Sequence, residues 1–301
     1  MVRVKQVFSL SGHAAAIYFL CEGTRRGTVI SGGADKFIAQ WNLEDGTQDK
    51  FFAKLPSPIF SMLNLPEAQQ LWIGTANGNI HVIDTKSNRE IHTFSFHKAQ
   101  VFCIEQSPKN GLVYTCAGDG TLALFDNEKL TNLEFIKVSQ QKLRSINFLQ
   151  NNILIAEGGG NSLLFDAASS SVVTTFKSDS FATNCHLFSQ QGSLLVSGGR
   201  DAHLRIWDIA DNFKLLKKIP AHNFAIYRLL CLKTDKLFAT ASRDKTIKLW
   251  DAEFRPLLRI NHEQFKGHTH SVNALYWNEE LNLLVSAGDD HRIMAWKLGF
   301  D

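Results

Sequence analysis

Four stretches of the 301-residue sequence end alike. Ser-Gly-Gly-Ala-Asp-Lys-Phe-Ile-Ala-Gln-Trp closes at Trp41, and Ser-Gly-Gly-Arg-Asp-Ala-His-Leu-Arg-Ile-Trp-Asp closes at Asp208. Thr-Ala-Ser-Arg-Asp-Lys-Thr-Ile-Lys-Leu-Trp-Asp closes at Asp251, and Ser-Ala-Gly-Asp-Asp-His-Arg-Ile-Met-Ala-Trp at Trp296. In each, Asp stands six residues before Trp, and Ser or Thr stands four before Asp. Three weaker copies fall in phase: Ile83 after Asn77, Phe125 after Asp119 and Phe165 after Gly159, each by six residues. Successive Trp-equivalent positions, 41, 83, 125, 165, 207, 250 and 296, are separated by 42, 42, 40, 42, 43 and 46 residues. A period of ~40–45 residues is that of a four-stranded propeller blade. It overrides the generic length prior of ~150 residues per domain, which would suggest two domains.

A second marker keeps the same phase. His13, His97, His222 and His268 each precede their Trp or Phe by 28 residues, and Gly12 and Gly267 complete two Gly-His pairs. Between the markers, polar and apolar residues alternate, as in Thr246-Ile247-Lys248-Leu249-Trp250, the pattern of a half-buried strand. The Asp positions carry hairpin-turn neighbours, and Pro66 and Pro108 fall between strands, where a missing N–H does no harm. No convincing amphipathic helix is expected. With these markers recurring in register, the chain resembles the WD40-repeat family along essentially its whole length. The expected fold is all-β, one seven-bladed β-propeller domain over residues 1–301.

Only Lys297–Asp301 follow the last Trp, so the seventh repeat lacks a fourth strand, whereas residues 2–10 read as a strand with no repeat of their own. That strand is expected to complete the last blade. WD40 proteins are similar in closing their ring this way, and closure removes sheet edges that would otherwise invite aggregation.

Ser, His and Asp in every repeat invite a hydrolytic reading. A triad is needed once, however, and is recognised by geometry rather than composition. In the family that the chain resembles, His, Ser/Thr, Asp and Trp form a hydrogen-bonded chain within each blade, and buried polar groups of this kind are costly unless paired. The resemblance implies full sets in three blades: His13, Ser31, Asp35 and Trp41; His222, Thr240, Asp244 and Trp250; His268, Ser286, Asp290 and Trp296. Blade 3 has His97, Thr115 and Asp119 with Phe125 in place of Trp; blade 5 has Ser197, Asp201 and Trp207 with Asp179 at the His position. Blades 2 (Ile73, Asn77, Ile83) and 4 (Ile155, Gly159, Phe165) depart furthest and are expected to rely on apolar packing.

Composition narrows the function. The net charge is only +3 and the 32 Lys and Arg are dispersed, so nucleic acid is not an expected partner. Cys21, Cys103, Cys116, Cys185 and Cys231 form no CxxC pair and lie mostly in apolar runs, which fits a reducing compartment. There is no N-x-S/T site, no signal-peptide-like start and no long apolar run; the expectation is a cytoplasmic, monomeric protein without a membrane span. His262, His268 and His270 lack the spacing of a zinc site, and Gly158-Gly159-Gly160 matches neither a P-loop nor a dinucleotide fingerprint. No cofactor or metal is expected.

WD40 proteins recognise partners on one face, with residues about five after the His marker or directly before the turn Asp. Here the first set is Tyr18, Phe60, Phe102, Arg144, Asn184, Tyr227 and Asn273, and the second is Ala34, Ala76, Gly118, Gly158, Arg200, Arg243 and Asp289. Blades 4 to 6 would bring Lys142, Arg144, Arg200 and Arg243 to one side of that face, opposite Tyr18, Phe60 and Phe102. Aromatic residues and Arg are the types enriched at binding hot spots. The resulting expectation is a non-catalytic scaffold or adaptor that holds an extended peptide or loop, with an acidic residue beside an apolar anchor. The alternative is a small anionic ligand, or an enzymatic activity, at the central channel. Asp289 is the only acid aligned there, which disfavours hydrolysis and metal chemistry.

Overall fold

The computed structural model describes residues 2–177, 181–189, 192–232 and 237–300. Among these residues the strands assemble into seven four-stranded antiparallel sheets, the blades of a seven-bladed β-propeller. Within a blade the strands follow chain order; blade 3, for example, runs Val101–Gln106, Val113–Ala117, Thr121–Asp126, Thr131–Lys137. One helix, His262–Phe265, interrupts this pattern; its four residues form a single turn in the loop after blade 6. No helix among the described residues is long and apolar enough to cross a membrane.

The seventh sheet departs from chain order. Val2–Ser11 lies beside Arg292–Phe300, followed by Leu283–Gly288 and Val272–Asn278. The N-terminal strand pairs antiparallel, from Val2 opposite Phe300 to Ser11 opposite Arg292. Its alternation places Val2, Val4, Phe8 and Leu10 against the core and Arg3, Lys5 and Ser9 outward.

The second strands of the blades are buried on both faces, as in Thr28–Gly33, Gln70–Thr75 and Leu283–Gly288. Outermost strands alternate, as in Thr131–Lys137. This gradient has the same cause as the near-continuous hydrophobic runs of any sheet covered on both sides. The chain divides into two compact units, residues 1–52 with 185–301 and residues 53–184. In the first, Ile17, Val29 and Trp41 of blade 1 share a core with Val285, Ile293 and Ala295 of blade 7. In the second, Phe125 of blade 3 packs between Trp72 and Phe94 of blade 2, at ring separations of 5.7 and 4.5 Å. An indole is thus retained in blade 2, but on its second strand rather than at the repeat position.

One irregularity recurs. In six blades the pairing of the first two strands skips one residue near its start: Tyr18, Phe60, Phe102, Arg144, Tyr227 and Asn273. Such a β-bulge leaves the extra residue outside the ladder and re-aims its side chain. Opposite two of these bulges the first strand's backbone comes so close that a Cβ on Gly33 would lie 2.1 Å from the Ala16 carbonyl oxygen, and one on Gly288 2.0 Å from that of Ser271. Glycine is needed there for space.

Deleting residues 1–10 strips the apolar cover from the last blade and leaves its Arg292–Phe300 strand as an open edge. The truncated protein should melt at least ~5 °C below the full chain by circular dichroism, the scale of losing a few kcal/mol in a domain this large; an unchanged melting temperature would contradict the closure.

Candidate functional site

The repeated polar residues converge inside the blades. In blade 1 the Trp41 indole N–H donates to Ser31 Oγ at 2.8 Å, His13 Nε2 meets the same hydroxyl at 2.7 Å, and His13 Nδ1 meets Asp35 Oδ2 at 2.8 Å. A carboxylate only accepts, so the Nδ1 that faces Asp35 carries a proton. Blade 6 repeats the chain through Trp250, Thr240, His222 and Asp244 at 3.1, 2.6 and 2.9 Å. Blade 7 repeats it through Trp296, Ser286, His268 and Asp290 at 2.9, 2.8 and 2.9 Å. Each Asp also accepts the backbone N–H of the residue after the histidine, at 3.0 Å from Ala14 and Asn223 and 3.1 Å from Thr269.

The other blades solve the same problem differently. In blade 3, His97 Nε2 meets Thr115 at 2.7 Å, but Nδ1 meets Thr121 Oγ1 at 2.6 Å, and Asp119 stands behind at 3.8 Å. The Thr121 hydroxyl passes the contact on by donating to Asp119. In blade 5, Trp207 donates to Ser197 at 2.9 Å, and the buried Arg205 guanidinium pairs with Asp201. Asp179, aligned with the histidines, lies outside the described residues.

Blades 2 and 4 correct the expectation of purely apolar packing. In blade 2, Thr75 donates to Asn77 at 2.7 Å, and Trp72 Nε1 donates to Gln70 Oε1 at 2.9 Å. In blade 4 the buried Glu157 carboxylate accepts from Ser139 Oγ and, at 2.6 Å, from Asn161 Nδ2. A glutamate two residues before the aligned position, Gly159, replaces the missing Asp, with Gly158, Gly159 and Gly160 forming the hairpin beside it. Of the three clustered histidines, His268 is held in blade 7, His262 Nδ1 donates to the Gly267 carbonyl at 2.8 Å, and His270 meets Thr269 at 3.0 Å; they face different partners.

The recognition candidates fall into two groups, one per unit. In the second unit the bulge residues Phe60, Phe102 and Arg144 form a stack: Phe60 meets Phe102 edge-on at 5.6 Å, and the Arg144 guanidinium lies 5.1 Å over the Phe102 ring. This cation–π contact orients the cation, and the exposed Lys142 stands two residues before it. Gly118 lies close to the same ring, since a Cβ there would come within 3.2 Å of Phe102. In the first unit, Asn273 Nδ2 donates to Asp289 Oδ1 at 2.7 Å and to the Ile17 carbonyl at 3.0 Å. Burial, aided by the Asp289 charge, raises the Tyr18 hydroxyl above its ordinary pKa. Tyr227 is half-buried and Arg200 exposed, while the exposed Arg243 lies 5.8 Å over the exposed Phe224. Phe224 escaped sequence reasoning because it is offset from both aligned sets. Arg205 had a signal: it stands four after the turn Asp, where the other blades carry Ala39, His81, Ala123, Leu163, Lys248 and Met294. A charge there, in a blade lacking the histidine, marks it as the replacement.

Titration follows from this wiring. Burial opposes ionisation of Asp119, Asp244 and Asp290, but it is outweighed, by hydrogen bonds from the histidines at Asp244 and Asp290 and by the nearby His97, the Lys98 N–H and the Thr121 hydroxyl at Asp119, and all three carboxyls are held below the usual range. For Asp201 burial is likewise outweighed, by Arg205. Burial lowers His222 despite Asp244, and takes His186 down to about 3 from 6.5. All these folded-state values lie below the unfolded ones, so the unfolded chain binds more protons as pH falls and stability declines with it. For the histidines the loss begins as pH drops through 6.5; for the carboxyls it begins near 3.8. The urea midpoint should therefore fall between pH 7.5 and 5, and His186→Gln should flatten that slope by about 1 kcal/mol per pH unit; an unaltered slope would count against the assignment.

A family model described as the nucleolar protein 10-like, N-terminal domain, a β-propeller, matches residues 42–298, and the WD domain, G-beta repeat model matches residues 4–42. The chain is similar to nuclear distribution protein nudF of Aspergillus niger, 25% identical in an alignment that covers 77% of this chain and 57% of that protein. It is similar to autophagy-related protein 16 of Arabidopsis thaliana, 23% identical over 75% of this chain and 36% of that protein. Small ribosomal subunit protein RACK1y of Oryza sativa subsp. japonica is 29% identical over 38% of this chain and 34% of its own length. The chain thus spans between about a third and just over half of these relatives. Repeat spacing, blade topology and both matches agree that the chain belongs to the WD-repeat β-propellers, in the family of the nucleolar protein 10-like N-terminal domain.

Proposed function

We propose that the chain is a non-catalytic protein-interaction scaffold that recognises an extended peptide or loop through the bulge residues of its first strands and the residues before its turn aspartates. The observation that carries this reading is the bulge itself. It recurs in six blades, and five of the six skipped residues are Tyr18, Phe60, Phe102, Arg144 and Tyr227. A ladder residue points where the pleat puts it, whereas a bulge re-aims the extra side chain, and at these positions it does so for aromatic and Arg side chains of the types enriched at binding hot spots. Membership of the WD-repeat family, whose members are in general non-catalytic scaffolds, supports the same reading. The Ser, His and Asp side chains that might suggest hydrolysis are occupied within the blades.

The ligand chemistry follows from the groups on offer. In the second unit Phe60 and Phe102 suit an apolar side chain and Lys142 and Arg144 suit carboxylates; in the first, Arg200 and Arg243 suit carboxylates. A partner segment with an acidic residue beside an apolar anchor satisfies both. We further propose a monomer that works in the cytoplasm, where its five thiols stay free. The nucleolar family match makes fluorescence imaging of the tagged protein the test of that location, and nucleolar signal would overturn it.

Arg200 and Arg243 are exposed, so reversing them should leave the fold intact. A pull-down from source lysate with the wild-type chain should recover stoichiometric partners that Arg200→Glu/Arg243→Glu, shown to be folded by circular dichroism, fails to retain. Partners held equally by both proteins would contradict this assignment of the surface.

A further inference from the structure

The strand ends opposite the bulges carry a different chemistry. In the second unit, Phe60 is the second residue of the strand Ile59–Leu65, whose last residue lies ~16 Å from it at the usual rise per residue. At that far end a groove of about 780 Å³ lies between blades 2 and 3. Leu63, Leu65, Pro66 and Leu112 give it an apolar lining, and Glu67, Asp126 and Glu128 give it carboxylates. Lys129 pairs with Asp126 at 3.4 Å, which leaves the exposed Glu67 and Glu128 as the open charges. The groove is built rather than incidental. Gln70, tied to the Trp72 indole, reaches across and donates to the Asn127 carbonyl at 2.9 Å, which fixes the blade 3 turn against blade 2. A second groove of about 750 Å³ continues past Asn110 and Leu112 toward blade 4, with Tyr114, Phe148 and Ile153 in its lining.

We propose that the groove between blades 2 and 3 is a second docking site, and that its occupant is an extended segment of a partner protein carrying Lys or Arg next to an apolar side chain. Charge complementarity selects this occupant. The lining takes the apolar group, while Glu67 and Glu128 attract a cation and repel the acidic segments suited to Lys142 and Arg144 at the other strand ends. Two partners of opposite charge can then occupy one unit without competing, which is a capacity beyond the single recognition surface proposed above and independent of it.

Fluorescein-labelled peptides of about ten residues serve as probes, with Leu and Ile alternating with Lys and Arg, with Asp and Glu, or with Ser and Asn. Anisotropy titrations of the full chain should show saturable binding of the basic–apolar peptide alone at this site. Binding should weaken about tenfold in Glu67→Lys/Glu128→Lys and hold unchanged in Arg144→Glu. Hydrogen–deuterium exchange should slow at residues 63–68, 110–112 and 126–128 when the peptide is bound. Absence of saturable binding, equal affinity of the Glu67→Lys/Glu128→Lys variant, or protection confined to other segments would overturn the proposal.

Discussion

A single buried hydroxyl serves two rings in blades 1, 6 and 7. Ser31, Thr240 and Ser286 each accept the indole N–H of a tryptophan and meet the Nε2 of a histidine whose other nitrogen faces an aspartate. All three hydroxyl residues are fully buried. The constraint is severe, because in so dry a place no water is at hand to replace a lost partner, and an orphaned polar group costs more than the bond contributed. What the hydroxyl fixes propagates outward. It anchors one nitrogen of the histidine ring, the other nitrogen faces the aspartate, and that aspartate captures the backbone at the entrance to the first strand. The bulge follows within a few residues, so the hydrogen-bond chain also steadies the bulged side chains.

The requirement is for a satisfied polar chain, not for particular residues. Blade 3 inserts Thr121 between ring and carboxylate, blade 5 uses Arg205 as the cation, and blade 4 uses Glu157 with Ser139 and Asn161. Where the indole is lost from the repeat position of blade 3, Phe125 stands in its place and packs against Trp72 of blade 2. The polar residues are spent on architecture. In the proposed reading recognition falls instead to the aromatic and basic groups at the bulges, and the two ends of the strands in the second unit differ in charge.

Blade number, strand order and the closing N-terminal strand were legible because all three depend on fixed spacing along the chain. The residues joined by hydrogen bonds in blades 1, 6 and 7 stand at those spacings, which is why spacing alone drew attention to them. Arg205, Glu157 and Thr121 were missed because their roles depend on which strand position faces the vacant place, a matter of register rather than period. The bulges explain why the aligned positions of Tyr18, Phe60 and Phe102 are special, but a one-residue slip between two strands leaves no mark in either strand's own alternation. The groove beside Glu67 was equally hidden, being assembled by hairpins about forty residues apart.

The account rests on the claim that the repeated polar chain holds the blades together, and the melting temperature of Thr240→Val tests it most directly. Valine keeps the shape of threonine and removes the hydroxyl, which strands the Trp250 N–H and the His222 Nε2 together at a cost of ~2–4 kcal/mol. The account predicts a drop of about 5 °C or more, with Arg243→Ala shifting the midpoint by no more than ~1 °C. A Thr240→Val protein that melts with the wild type would contradict it, and would return the Ser, His and Asp residues to the list of groups available for chemistry.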